Sequence, residues 1–453
     1  VSKLWVSHNE KDANTGRGKP MLPEAENDLI CHTGPGTPMG EALRRYWLPC
    51  LLITDLPEND GEPVRVKILG EELIAFRDTD GTVGLINERC PHRGASLFFG
   101  INQECGIMCI YHGWKFDVNG DCVDMPSDLP GSVFKDKVHI NSYPCIESAG
   151  MVWTYMGPPD KKPAEPDFLF NRLPSNQVIA TRVPVYCNYV QSIEGNIDPS
   201  HLGTLHRRIV DWKLETDDTD RPGTPSTNLR SYILAKYPYS EIQVQDTNYG
   251  FRVMGIRPTD AGHRHIRITT HVMPVCSMIG SPGKAGGAFI IVPVDDENCM
   301  RFFVRHNPDR PFTNPEREGS GAENMMMDPA NPKIRLKRAD NDYMLDRRVQ
   351  KTTILAGITP NAEQDYAVTE SMGPIYDRSH EHLYAADGGI IRFRQIMVSA
   401  AKGIREGIDP PGLDPSIPYH LIRSEEAIVA ADDDPWLSGA DAGESAKPGE
   451  RIW

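Results

Sequence analysis

Two short segments of this chain each pair one cysteine with one histidine, and that pairing limits the fold more than any other feature. The first reads Cys90-Pro-His92-Arg-Gly-Ala and the second Cys109-Ile-Tyr-His112-Gly-Trp, with sixteen residues between His92 and Cys109. Two thiolates and two imidazoles at this spacing call for two facing loops, each turned tightly enough to present both side chains. Gly94 and Gly113 suit such turns, because glycine reaches backbone conformations that a Cβ disfavours. Ordinary buried Cys and His would have to reproduce two mixed pairs with adjacent glycines by accident. A Cys2His2 zinc site uses the same ligand types, but zinc fingers usually segregate them as C-x2–4-C and H-x3–5-H. Here each loop supplies one of each.

The sequence around the pairs has the texture of a small β-module. Short alternating runs such as Val64-Arg-Val-Lys-Ile and Met151-Val-Trp-Thr-Tyr are broken by turn residues, and Asp80-Gly81 and Asn119-Gly120 are hairpin signals. We assign 1–45 to an N-terminal arm that leads into a short helix at 41–47, and 46–157 to this all-β domain. Residues 158–430 form a larger domain, and 431–453 an acidic tail expected to be poorly ordered. The larger domain mixes strand-like runs at 178–185, 241–246, 251–256, 266–272, 289–294 and 300–305 with helical stretches around 188–208, 360–372 and 390–406. That mixture predicts an α+β fold with helices packed on an antiparallel sheet. Residues 311–332 read as a mobile loop.

Composition narrows the function. A net charge of −15 over 453 residues argues against a sequence-independent grip on phosphates, so no nucleic-acid partner is expected. The longest apolar run, 288–294, is far too short to span a bilayer, so no membrane partner is expected either. Ten cysteines do not make a disulfide scaffold in a chain this long. The first twenty residues lack the apolar stretch of a signal peptide, which points to a reducing cytoplasm.

A mixed pair on each loop fits a Rieske [2Fe–2S] cluster, where two Cys hold one iron and two His the other. Rieske electron carriers brace these loops with a disulfide whose cysteines would stand at Ala95 and Tyr111. Without it, and with Trp114 after the second His-Gly, the module resembles the Rieske domain of an iron oxygenase. Downstream lies Asp198-Pro-Ser-His201-Leu-Gly-Thr-Leu-His206-Arg207-Arg208. Read locally, Asp198-Pro199 is a good N-cap and N1 pair that would start a helix, and the two histidines are ordinary. Beside a Rieske module, D-x2-H-x4-H resembles the mononuclear iron segment of Rieske non-haem oxygenases. A 2-His-1-carboxylate triad leaves positions open for O2 and substrate. The third ligand would come from 359–374, which reads as a helix capped by Thr359, with Pro360 at N1 and Gly373-Pro374 at its end. Glu363, Asp365 and Glu370 all qualify by spacing; resemblance to the family's C-terminal segment selects Asp365.

The resemblance runs from 34 to 412 and is closest to the phthalate dioxygenase-like group, through Glu370-Ser-Met-Gly-Pro-Ile-Tyr-Asp377-Arg378, Glu381-His-Leu and Ile390-Ile-Arg-Phe-Arg. It implies a [2Fe–2S] Rieske cluster, a mononuclear Fe(II) and a homotrimer or stacked trimers (a hexamer). No strand precedes a G-x-G-x-x-G, so electrons would come from a separate NADH-dependent flavin/[2Fe–2S] reductase. The resemblance also makes Asp198 a catalytic bridge between His112 of one subunit and His201 or His206 of the next. Arg207, Arg208 and Arg252, with Arg257 nearby, are candidates to pair with a substrate carboxylate. The implied reaction uses O2 to dihydroxylate or monooxygenate an aromatic carboxylate such as phthalate or a substituted benzoate. O-demethylation of a methoxylated or diaryl acid is the alternative. A Rieske electron-transfer protein and a zinc-stabilised binding protein are readings of other classes.

Overall fold

The Asp78 carboxylate accepts hydrogen bonds from the backbone N–H groups of Asp80 and Thr82, which closes the first hairpin at Asp80-Gly81. The structure is a computed structural model that describes residues 22–210, 220–280, 286–320, 326–434 and 436. After β1 (Trp47–Leu52), a meander of β2 (Val64–Ile68), β3 (Glu71–Arg77) and β4 (Val83–Asn87) is built on that hairpin. A second antiparallel sheet holds β5 (Ile101–Asn102), β6 (Ile107–Met108), β7 (Lys115–Phe116) and β8 (Cys122–Asp124). Strands β9 (Cys145–Ser148) and β10 (Met151–Tyr155) then return to pair with β1. Alternation along β3 sends Leu73 and Ala75 into the main core, and Ile74 and Phe76 into a second core beneath the Cys/His loops. Burying a side chain such as Phe76 stabilises by roughly 1.5–3 kcal/mol, so the loops rest on a firm base.

The larger domain is an antiparallel sheet with the order β11 (Val178–Val185), β17 (Cys299–His306), β16 (Gly286–Pro293), β15 (Cys276–Ile279), β14 (Arg264–Val272), β13 (Gly250–Pro258) and β12 (Glu241–Thr247). The late strand β20 (Glu425–Val429) adds to β14. Helices α4 (Tyr189–Ile197) and α9 (Gly388–Arg405) pack on one face of this sheet, and α8 (Asn361–Glu370) packs on α4. On that face Gly389 is required by close approach, since a Cβ there would lie 2.7 Å from the Val253 side chain. Buried Glu194 ties α4 in place: it accepts two hydrogen bonds from Arg378 (3.1 and 2.9 Å) and one from Arg394 (2.6 Å).

Several expectations are corrected. The stretch at 188–208 is not one helix: α4 stops at Ile197, and Asp198 follows it at φ −93°, ψ 108° instead of starting a helix. Pro199 is the reason, because a proline pushes the preceding residue out of the α region. The short helix α2 spans Pro38–Leu43, with the Thr37 hydroxyl accepting from the Gly40 N–H, and Trp47 begins β1 instead of ending a helix. A further helix, α1 (Glu24–Cys31), lies within the stretch read as an extended arm. Thr359 does not cap α8; Pro360 holds that position without a side-chain hydrogen bond. Within 311–332, of which 321–325 lie outside the described residues, stand α6 (Asn314–Ser320) and β18 (Met327–Asp328), which pairs with β19 (Asn331–Arg335). The start of the acidic tail is also placed, with the Trp436 indole N–H donating to Gln243 at 3.1 Å. Residues 1–21 and 437–453 lie outside the described residues. No helix among the described residues is long and apolar enough to cross a membrane.

Candidate active site

The two Cys/His loops close in the same way. Gly94 N–H donates to the Cys90 carbonyl at 2.8 Å, and Gly113 N–H donates to the Cys109 carbonyl at 2.8 Å. Both glycines have positive φ, +73° and +79°, which is where a Cβ would be strained. The repeat brings Cys90 and Cys109 side by side in the small core, 2% and 3% exposed. Their partners lie further out: the His92 and His112 rings are 4.3 Å apart, and His92 stacks on Trp114 at 4.5 Å. Burial pushes the Cys90 thiol up to about 11, with the adjacent Cys109 thiol adding to the rise. Such a thiol stays protonated unless a metal takes the proton's place. Among the described residues these four do not converge within the reach of one ion, as a single zinc would need. Buried thiols on one side, with exposed His92 and half-buried His112 on the other, fit a cluster of two unlike irons.

The second constellation forms where α4 breaks. Asp198 accepts from the Ser200 N–H at 2.6 Å, and this turn leads into a single 3-10 turn, His201–Gly203. Gly203 lets that turn lie against the next segment, because a Cβ there would fall 2.6 Å from the Pro238 Cα. The His201 and His206 rings stand 5.2 Å apart at 79°, and Nε2 of each points at Oδ1 of Asp365, at 3.8 and 3.1 Å. One donor atom from each of the three residues lies within 4.8 Å of the others, and all three side chains are half-buried. Two imidazole nitrogens and one carboxylate oxygen suit Fe(II) and leave coordination positions free. Behind this set, Asp198 Oδ2 lies 3.4 Å from His201 Nδ1, and Gln364 Oε1 lies 2.7 Å from His206 Nδ1.

Helix geometry separates the three candidate carboxylates of α8. Glu363 and Glu370 are seven residues apart, close to two turns, so they share a face; Asp365 points elsewhere. Both glutamates turn to buried Arg335, Glu363 at 3.0 Å, and Glu370 also accepts from the Tyr186 N–H and the Tyr343 hydroxyl. Burial opposes charge on Asp365, yet the His206 hydrogen bond and the charges of His206, His201 and Arg301 together outweigh it and hold the carboxyl below its ordinary range. Asp198 is held low in the same way by His201.

The arginines are the main correction to the site. Arg207 and Arg208 are exposed. Arg252 is buried on the other face of the sheet from α9, where it donates to Gln245 at 2.9 Å and lies over the Trp436 ring. Arg257 is fully buried and donates to the Pro199 carbonyl at 2.7 Å, so it braces the Asp198 turn. Two arginines that sequence reasoning missed act electrostatically on this set: Arg267 of β14 on His206 and Asp365, and Arg301 of β17 on Asp365. Burial lowers Arg267 to about 10. Its neighbour Glu426 of β20 is also bound by Arg230 (2.8 Å) and His265 (2.9 Å), and those partners hold its carboxyl down at about 2 against the cost of burial.

Residues 46–144 match the Rieske [2Fe-2S] domain family, and 154–449 match the LigXa C-terminal domain-like family. The chain is 35% identical to the phthalate 4,5-dioxygenase oxygenase subunit of Pseudomonas putida, over 91% of this chain and 94% of that one. It is 35% identical to the 3-chlorobenzoate-3,4-dioxygenase oxygenase subunit of Comamonas testosteroni, over 89% and 94%. It is 30% identical to the 5,5'-dehydrodivanillate O-demethylase oxygenase subunit of a Sphingobium species, over 90% and 88%. The fold is that of dicamba monooxygenase bound to dicamba, with a TM-score of 0.56 over 80% of this chain and 99% of that one at 20% identity. A Rieske [2Fe–2S] cluster and a mononuclear iron are the cofactors of such enzymes. With two metal constellations of the right chemistry and this extent of likeness, the chain belongs to the Rieske non-haem iron aromatic-ring oxygenases, as an oxygenase component of the phthalate dioxygenase-like group.

Proposed function

We propose that this oxygenase component inserts oxygen from O2 into an aromatic carboxylate, with Cys90, Cys109, His92 and His112 holding the cluster and His201, His206 and Asp365 holding the iron. The observation that carries the proposal is the convergence of those last three donors. When bound, the cluster supplies electrons one at a time and the iron supplies the site of O2 activation. The chain's own residues do the rest. Arg267 offers a fixed cation to a substrate carboxylate, and in a site this buried such a pair orients as well as binds. Arg257 holds the turn that carries Asp198, and Asp198 places a carboxylate oxygen 3.4 Å from Nδ1 of His201, where it backs the ring.

We infer a head-to-tail trimer in which Asp198 lies between His112 of one subunit and His201 of the next. Ile110 and Tyr111, 60% and 54% exposed beside His112, give that loop an apolar surface suited to burial against another subunit. Electron-transfer partners belong to this kind of system; we propose that here the donor is an NADH-dependent flavin/[2Fe–2S] reductase.

A product analysis tests the proposal. The loaded protein, a reductase and NADH are supplied with isotopically labelled O2 and a panel of phthalates, substituted benzoates and methoxylated or diaryl acids. Labelled hydroxylated product from an unmethoxylated acid supports the reading. Turnover confined to methoxylated acids, with release of the methyl carbon, would make the protein an O-demethylase, the activity named for its Sphingobium relative. No turnover of any acid would contradict both.

A further inference from the structure

Gln364 and Asp365 are neighbours on α8, yet they reach opposite ends of one imidazole. Asp365 Oδ1 lies 3.1 Å from Nε2 of His206, and Gln364 Oε1 lies 2.7 Å from its Nδ1. The Gln364 side chain has no freedom to turn over. It is fully buried, and its Nε2 donates to the Ile358 carbonyl at 2.7 Å. A carbonyl only accepts, so the amide nitrogen faces Ile358 and the amide oxygen faces His206. Nδ1 of His206 must then carry a hydrogen, so in the neutral ring, the form that binds a metal, the lone pair lies on Nε2, towards Asp365 and His201. His201 has a different partner at Nδ1, the Asp198 carboxylate. One imidazole is therefore backed by a charged acceptor and the other by a neutral one.

We propose that Gln364 is a positioning residue: its locked amide holds His206 in the Nδ1–H tautomer and so sets how tightly, and in what ligand field, the mononuclear iron is held. The inference rests on the iron reading above. It adds that the two histidines are unequal ligands, with His206 the more weakly donating of the pair because its partner carries no charge.

Full-length Gln364→Met and Gln364→Glu test this beside the wild type. Met keeps the length and removes the acceptor; Glu keeps an oxygen facing Nδ1. The readouts are the ease with which a chelator removes mononuclear Fe(II), the EPR signal of the Fe(II)–nitric oxide adduct, and the thermal midpoint. Gln364→Met should lose that iron about 10–100-fold more readily, with a changed EPR rhombicity and an unchanged Rieske spectrum. Gln364→Glu should regain most of the retention. Wild-type retention and EPR in Gln364→Met would overturn the inference. So would equal iron loss in both variants with equally lowered midpoints, which is the pattern of a packing role. A wild-type protein that takes up no Fe(II) beyond its cluster would overturn the iron reading itself, and that failure is distinguishable from the other two.

Discussion

Asp198 Oδ2 stands 3.4 Å from Nδ1 of His201, while Asp365 Oδ1 lies 3.8 Å from Nε2 at the other end of the same ring. One carboxylate thus backs the imidazole and the other shares its metal-facing side. If Asp198 links the cluster of one subunit to the iron of the next, Asp198→Asn should keep both metal centres and the cluster's colour. Turnover should still fall by at least about 10–100-fold. Asn makes the local turn with the Ser200 N–H about as well as Asp does, so a residue needed only for that turn would give a near-silent substitution. Single-turnover electron transfer from the reduced cluster in Asp198→Asn separates the two.

The carboxylates of α8 should divide by function as they do in space. Asp365→Ala should lose the mononuclear iron and keep the Rieske spectrum. Glu370→Ala should keep the iron but cost about 3–5 kcal/mol, because it strips a partner from buried Arg335. Iron analysis and urea unfolding of both variants check this together.

How much of this could be read from the sequence depends on the range of the interactions. The two Cys/His loops were legible because one tight turn, closed by its own glycine, fixes each pair locally. Strand β11 was legible for a similar reason, as its alternating run is set by its own residues. Arg267 was not legible: in Ile266-Arg267-Ile268 it has the spacing of a solvent-facing residue, and its ion-pair partner Glu426 arrives on β20 from far along the chain. Spacing left Glu363, Asp365 and Glu370 open and resemblance selected Asp365; the physical reason, that Arg335 engages both glutamates, is not placed beside α8 by the sequence. The helix at 188–208 was read too long because its composition continues past Asp198, although Pro199 carried the stop signal.

Arg267→Met should raise KM for aromatic acids and lower kcat/KM by about 10–100-fold, as loss of a charge-assisted hydrogen bond of about 1.5–3 kcal/mol implies. Arg252→Met, on the other sheet face, should leave both constants nearly unchanged. Steady-state kinetics on the preferred acid, with unfolding curves for both variants, provide the check.

Glu426 gives the acid limb of stability a definite sign. Its carboxyl falls from 4.5 to about 2 in the folded chain, despite burial, because His265, Arg230 and Arg267 favour the charged form. A depressed acid stabilises above its unfolded pKa and loses that contribution as pH falls through the folded one. The contribution is about 3 kcal/mol, present above pH 4.5 and lost towards pH 2. Glu426→Gln should therefore be less stable at neutral pH and should show a shallower loss than wild type over that window, measured by chemical unfolding at a series of pH values.

Metal analysis of the wild-type protein bears most directly on the central claim, that two separate sites hold a cluster and a single iron. The account predicts red-brown protein with about three irons and about two acid-labile sulfides per chain. Zinc in place of cluster iron would contradict it, as would two irons per chain that reconstitution with Fe(II) does not raise to about three.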